Sequence, residues 1–367
     1  MLLVEADGKA LFRQYGIPVP AGEVVRDAAW QPPQGPRVVK AQVTVGGRGK
    51  AGGVALTRDA AETTAALKRI LGGSIKGHQV HACLVEAPAS GRECYLSLMV
   101  DAEAGAVRVT FIPEGGVEVE SHALTPAMTR LCAPEAAAIE AALAALTGEP
   151  AVRAIGAALA RLFLEQELML AEINPLFLGP QGAVAGDAKL VLDGNALHRQ
   201  PGQEKLLRAN AALYPDALRK LDEGFDYVEL DAQGGIGLIT TGAGLSMMLV
   251  DELSARGARP INFLDIRTGQ LRGSPARLIR VLDWLSEHPS LKVLFVNIFA
   301  GITDQREFAK LLAEALKAQP TRGVPVVARL VGNGSEEARA WLAQERPDIT
   351  IFEDLEGAIA RVAELAA

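Results

Sequence analysis

Cysteine is scarce: Cys83, Cys94 and Cys132 are the only three in 367 residues. They form no CxxC pair and no Cys/His metal pattern, and an odd, sparse set argues against a disulfide framework, so they read as reduced packing residues. Long apolar runs are also missing. The richest, Ala136 to Leu146, is broken by Glu140 and stopped by Thr147, Gly148 and Glu149, short of the about 18 uninterrupted residues a membrane helix needs. The amino terminus, MLLVEADGKALFRQYG, has acidic residues among its first eight positions and no basic region leading into an apolar stretch. That argues against a secretory signal and predicts a cytoplasmic protein with no membrane partner. Positive charge is not in excess, since 37 Lys and Arg face 44 Asp and Glu for a net charge of −7. A nucleic-acid partner held by bulk electrostatics is therefore not expected. Any anion must be held by a local site.

What is present is a globular composition: 49% apolar, 22% charged, and 37 glycines with 20 prolines, too few for a low-complexity chain. At about 150 residues per domain the length predicts two domains. From Gly235 onward, short apolar runs alternate with helical patterns: IGLIT with LSMMLVDELSARG, INFLDI with SPARLIRVLDWLSEH, KVLFVNIF with DQREFAKLLAEALKAQ, VPVVARLV with SEEARAWLAQE, and ITIFED with LEGAIARVAELAA. Five strand–helix units predict an α/β domain, a doubly wound parallel sheet with helices on both faces. Ser274-Pro275 and Ser335-Glu336-Glu337 mark helix starts. The first ~225 residues read instead as α+β, ending in a hairpin of LMLAEINPLFLG and AVAGDAKLVL about Gly179 to Gly182. The predicted boundary lies between Leu221 and Phe225, giving domains 1–225 and 226–367.

Four features carry chemistry. In a doubly wound fold ligands sit beyond the carboxyl ends of the strands. Two Gly-rich turns fall there, Thr240-Thr241-Gly242-Ala243-Gly244 and Ala300-Gly301-Ile302-Thr303; each suits either anion binding or tight strand–helix packing. Lys40 lies inside the apolar run Val38 to Val43. It either meets an anion or stands on the open face of an edge strand, because a buried unpaired ammonium is strongly disfavoured. The loop Gly46-Gly47-Arg48-Gly49-Lys50-Ala51-Gly52-Gly53 has five glycines and two cations, suited to closing over phosphates, though it lacks the Walker A spacing. Finally, Glu172-Ile173-Asn174-Pro175 and Asp187-Ala188-Lys189 face each other if the hairpin pairs. Asn174 and Asp187 would then suit a magnesium ion on a nucleotide, or a structural salt bridge.

Taken in order, VVKAQV, GGRGKAGG, LVEAP with Glu93 seven residues on, EGGVEVE, AEINPL, DAKLVLDGNALHRQP, TGAGL, NFLDI, VNIFAGI and VARLVGN resemble the β subunit of ADP-forming succinate–CoA ligase and its malate–CoA ligase relatives. The resemblance covers nearly the whole chain. It implies an N-terminal ATP-grasp domain, a flavodoxin-like CoA-ligase domain, and an enzyme of the tricarboxylic acid cycle type. Lys40, Gly47, Arg48 and Gly49 match nucleotide phosphate contacts, Glu86 an adenine-side position and Glu93 a ribose or nucleotide contact. Asn174 and Asp187 match Mg²⁺ ligands. Glu172 matches the carboxylate that receives a phosphorylated histidine from an α subunit, and Thr241, Gly301, Ile302 and Thr303 match positions holding the acid and phosphate. Pro20 resembles the ATP-using branch, with GTP the alternative. ATP and CoA would be substrates, in an αβ or (αβ)₂ assembly.

Of the five histidines, His78, His81, His122, His198 and His288, none matches a phosphohistidine motif, so the nucleophile is expected on the partner. Three departures from the family pattern bear on the acid. Thr241 replaces an Asn, Arg267 and Gln270 fall in a segment of small residues, and Asp304 stands where an anion-facing helix begins. They motivate a ligase for another di- or tricarboxylic acid such as malate, with Arg267 reading a further carboxylate. A catalytically impaired regulatory subunit is the alternative. A carboxylate–amine ligase acting alone is disfavoured by the five-unit second domain.

Overall fold

The computed structural model describes residues 1–115 and 125–367. Most of the EGGVEVE motif, and His122, lie outside the described residues. The chain forms two compact units, Met1–Tyr214 and Pro215–Ala367. Their division precedes the segment expected from the sequence, because the helix 215–223 packs on the first strand of the second unit. Arg219 of that helix lies 5.1 Å from the Tyr227 ring centre, and Lys220 pairs with Asp226 at 2.6 Å.

The first unit opens with helix α1 (Glu5–Gln14), followed by β1 (Gly22–Val25), β2 (Arg37–Ala41), β3 (Val54–Thr57), α2 (Ala60–Ile70) and the short pair β4 (Ser74–Ile75) and β5 (His78–Gln79). Next come β6 (Cys83–Glu86), β7 (Arg92–Asp101), β8 (Ala106–Ile112), β9 (Thr129–Cys132), α3 (Ala136–Leu146), α4 (Pro150–Glu165), β10 (Leu168–Gly179), β11 (Gly182–Ala185), β12 (Lys189–Leu192) and α5 (Pro201–Ala209). Strands β1, β6, β2 and β3 form one antiparallel sheet in that order. Side chains alternate across a strand. Val39 and Ala41 accordingly join Leu67 and Ile70 of α2 in an apolar core, while Val38 and Lys40 line a cavity on the opposite face. Lys40 is thus on an interior strand, not an edge. The second sheet runs β11-β10-β7-β8-β9 with β12 also on β10. Helices α3 and α4 cover it, so close together that a Cβ on Gly156 would fall 1.9 Å from Leu143 Cδ2.

The second unit comprises α6 (Pro215–Glu223), β13 (Asp226–Glu229), β14 (Ile236–Thr240), α7 (Ala243–Ala255), β15 (Asn262–Asp265), α8 (Ala276–Ser286), β16 (Val293–Ala300), α9 (Gln305–Ala318), β17 (Val326–Gly332), α10 (Ser335–Glu345), β18 (Ile349–Phe352) and α11 (Leu355–Ala366). All five expected strand–helix units are present, but only β14, β16, β17 and β18 form the parallel ladder. Strand β15 lies beside β14 without a ladder of its own. Its Asn262 carboxamide, fully buried, accepts from Leu238 N–H at 2.8 Å and donates to Leu238 O at 3.0 Å, in place of backbone partners. On its other side β15 pairs antiparallel with β13. The spatial order β15-β14-β16-β17-β18 matches the flavodoxin-like 2-1-3-4-5 arrangement, which puts the switch point between β14 and β16. Among the described residues no helix is long and apolar enough to cross a membrane.

Candidate nucleotide site and strand-end site

A cavity of about 670 Å³ in the first unit gathers all nine first-unit candidates. Lys40, Gly47, Arg48 and Gly49 come from β2 and the following loop, Glu86 from β6 and Glu93 from β7; Glu172, Asn174 and Asp187 come from the β10–β12 hairpin. The hairpin register is the expected one. Leu176 faces Ala185 and Glu172 faces Lys189, which sets Asn174 opposite Asp187 in the gap between β11 and β12. Gly186 occupies that gap because a Cβ there would meet the Phe177 ring at 2.4 Å and Pro175 O at 2.9 Å. Pro175 follows a cis peptide bond.

The cavity floor corrects one expectation. The sequence suggests a locally cationic site at Lys40, Arg48 and Lys50; the structure pairs the inward cations one for one with carboxylates. Lys40 Nζ lies 2.7 Å from both Glu5 and Glu86, Arg48 lies 2.8 Å from Glu5 and 3.2 Å from Asp187, and Lys9 lies 2.7 Å from Glu5 and Glu86. The reason is the cost of desolvating charge: side chains of Lys40 and Arg48 are 12% exposed, Glu5 and Lys9 not at all, and ions so placed must be compensated. Burial alone would push the Glu5 carboxyl up, yet Lys40, Arg48 and Lys9 together hold it below its ordinary value. Burial likewise pulls on Lys40, and Glu5, Glu86 and Asp187 outweigh it, leaving the ammonium raised and charged. The Asp187 carboxyl is raised, first by burial and then by Glu5 beside it.

Glu172 stands apart from this group. Its carboxylate accepts from Tyr95 OH at 3.1 Å and lies 3.4 Å from Lys189 Nζ. Sequence reasoning missed Glu5, Lys9 and Tyr95. A Glu and a Lys four apart in an opening helix look like an ordinary solvated pair, and Tyr95 alternates with core residues. As for metal, among the described residues no group of three or more His, Cys, Asp or Glu is placed to hold one. The donor set Asn174 plus Asp187 nonetheless fits magnesium, which takes one or two protein oxygens and completes its shell with water and phosphate.

In the second unit the switch-point turns are joined by hydroxyls. Thr241 Oγ1 accepts from Thr268 N–H at 3.4 Å, and Thr268 Oγ1 lies 2.8 Å from Thr303 Oγ1. The structure thus brings Thr241 and Thr303 together through Thr268, while Gly301 is exposed and Ile302 is 98% exposed. Arg267 has φ +53°, a left-handed backbone that favours glycine, and its guanidinium is tied to Asp226 at 2.9 Å. Asp304 corrects another expectation. It does not leave a bare negative charge at the start of α9: its carboxylate accepts from Arg306 N–H at 2.9 Å and takes the Arg306 guanidinium at 3.0 and 2.8 Å. Those bonds hold its pKa down to about 2. The described histidines agree with surface or packing roles; His288, the buried one, lies 3.4 Å from Glu229.

An ATP-grasp domain model matches residues 2–178 and a CoA-ligase model matches residues 239–362. Together they define an acid–thiol ligase subunit. The β subunit of ADP-forming succinate–CoA ligase from Chloroflexus aurantiacus is 39% identical over 98% of both chains, and that from Ignicoccus hospitalis is 35% identical over 100% of this chain and 99% of its own. This chain belongs to that family of ADP-forming succinate–CoA ligase β subunits. Its fold is also that of ATP citrate lyase from Methanothrix soehngenii, solved with citrate and coenzyme A, at a TM-score of 0.67, 19% identity and 99% coverage of each chain.

Proposed function

We propose that this chain binds Mg-ATP in the first-unit cavity and, with an α subunit in an αβ or (αβ)₂ assembly in the cytoplasm, forms an acyl-CoA from a carboxylic acid. The observation that carries this reading is the convergence of Lys40, Arg48, Glu86, Glu93, Glu172, Asn174 and Asp187 on one cavity of nucleotide size. Lys40 and Arg48 would face the phosphates, and Gly47 and Gly49 let the loop backbone approach them. Asn174 and Asp187 would hold magnesium, which when bound offsets phosphate charge. The γ-phosphoryl passes to a histidine nitrogen of the partner as ADP leaves. Glu172, already aligned by Tyr95 and Lys189, would hold the imidazolium side of that histidine. The acid's carboxylate then takes the phosphoryl group to give an acyl phosphate, and the CoA thiolate displaces phosphate at the carbonyl carbon. Thr241, Gly301, Ile302 and Thr303 would position acid and phosphate at the strand ends.

The relatives carry succinate in their names, which makes it the first acid to test. Thr241, Arg267 and Gln270 favour a second reading, an acid other than succinate. The Asp304 departure no longer supports it, because Arg306 neutralises that charge, and Arg267 would have to leave Asp226 to read a carboxylate. The test is turnover by the reconstituted pair with ATP or GTP across succinate, malate, glutarate, itaconate and tricarboxylates. ATP- and CoA-dependent turnover of any of them supports the ligase reading, succinate as best substrate by kcat/KM removes the second reading, and no turnover favours the impaired regulatory subunit.

A further inference from the structure

Helix α1 places Glu5 and Lys9, both inaccessible to solvent, beside Lys40 and Arg48 of the cavity. Glu5 alone binds three cations: its Oε1 meets Lys9 and Lys40, each at 2.7 Å, and its Oε2 meets Arg48 at 2.8 Å. Lys9 and Lys40 in turn donate to the same carbonyl, Gly186 O, at 2.9 and 2.7 Å. Gly186 precedes Asp187 in the break between β11 and β12. The helix bearing these two residues is itself fixed by distant side chains. Val4 N–H donates to Tyr214 OH at 3.0 Å, Ala6 N–H donates to Gln42 Oε1 at 2.8 Å, and Asp7 accepts from Tyr214 OH at 2.6 Å and Asn210 Nδ2 at 3.0 Å.

A buried ion pair gains a protein little stability over well-packed apolar residues, because desolvation offsets the attraction. What it supplies is direction. An ammonium and a guanidinium on flexible stems have many orientations, and a shared, immobile carboxylate selects one for each.

We infer that Glu5 and Lys9 are positioning residues for the nucleotide site: Glu5 sets the directions of the Lys40 ammonium and the Arg48 guanidinium, and Lys9, with Lys40, sets the carbonyl that anchors the Asp187 segment. This rests on the nucleotide reading of the cavity. Without Glu5, three neighbouring cations would share only Glu86 and Asp187, and mutual repulsion would turn Lys40 or Arg48 away from its present direction.

The test uses the assembled enzyme with Glu5→Gln, Glu5→Asp and Lys9→Met, measuring the Kd of Mg-ADP by calorimetry and the KM of nucleotide, acid and CoA. Glu5→Gln should raise nucleotide Kd and KM about tenfold or more, the size expected when a charged hydrogen-bond partner is lost, while the KM values of acid and CoA stay put. Lys9→Met should act in the same direction more weakly, and Glu5→Asp, which keeps the charge, should recover part of the loss. A merely structural role would lower Tm and the folded fraction yet leave every KM of the folded molecules unchanged, and that result overturns the inference. Should Glu5→Gln not fold, unchanged nucleotide KM in both Glu5→Asp and Lys9→Met overturns it equally. If the unaltered enzyme binds no nucleotide, the nucleotide reading itself fails, and the inference with it.

Discussion

The two units treat charge in opposite ways. In the first, Lys9, Lys40 and Arg48 meet Glu5, Glu86 and Asp187 at the floor of a cavity, where water is largely excluded and leaving any one charge unpaired is costly. In the second, the charges beside the strand ends pair off locally at the surface, Arg267 with Asp226 and Asp304 with Arg306, where ion pairs contribute little. What that edge presents instead is a row of threonines, the exposed glycines Gly242, Gly244 and Gly301, and exposed Phe299 and Ile302. The first unit turns Lys40 and Arg48, each 12% exposed, toward the cavity although both are paired with carboxylates. The strand-end site offers hydroxyls and backbone, and its nearby Arg267 and Arg306 are paired at the surface.

Breaking the charge cluster should have the largest effect. Lys40→Met leaves Glu5 and Glu86 undercompensated, so it should cost about 3 kcal/mol or more in chemical denaturation and about 10²–10³-fold in nucleotide-dependent turnover. Glu172→Gln should separate chemistry from binding. Phosphoryl transfer to the partner should fall by about 10²–10⁴-fold while Kd for Mg-ADP stays unchanged by calorimetry, because Glu172 pairs with Tyr95 and Lys189 and not with the Lys40 group.

At the strand-end site the effects should be small and set by backbone. Arg267 holds a left-handed φ, so Arg267→Gly should be more stable than Arg267→Ala by about 1 kcal/mol in urea melts. Loss of the Asp226 pair itself should cost under about 1 kcal/mol. If Arg267 reads a carboxylate, both variants should raise the KM of the acid alike.

The slowest expected signal comes from thiols, all three of which lie in the first unit. Burial pushes the Cys83 thiol up to about 12, leaving on the order of 10⁻⁴ of it as thiolate at pH 8. Native labelling should therefore be slow at Cys83 and report opening of the first unit alone. The sign follows: the unfolded thiol ionises near 9, so this group's contribution to stability is complete below that pH and is lost as pH rises toward about 12.

Much of this arrangement is legible in the residues. Lys40 inside an apolar run leaves two choices, an ammonium meeting an anion or a Lys on an edge strand, and the hairpin about Gly179 to Gly182 places Asn174 opposite Asp187, because antiparallel register follows from the turn. The Lys40 partners are not legible. Glu5 and Lys9 have the spacing of a surface helix pair, and only the packing of α1 shows them buried. Strand β15 reads as a ladder strand, and nothing in INFLDI shows that the Asn262 carboxamide replaces backbone bonds. Asp304 does carry a signal for its true role: an Asp before a helix, with an Arg two residues on, caps the helix and pairs with that Arg. The 214/215 division is hidden because helix 215–223 continues a helical pattern begun at Pro201.

On the proposed function, the first-unit cavity passes a phosphoryl group to another chain. The most direct measurement is to incubate the chain and its partner α subunit with magnesium and γ-³²P-labelled ATP, then follow the label by denaturing electrophoresis. Acid-labile label is predicted on a partner histidine, formed with the native chain, absent with Lys40→Met, and discharged by the acid together with CoA. Label that fails to form, or that forms equally well with Lys40→Met, would contradict the claim.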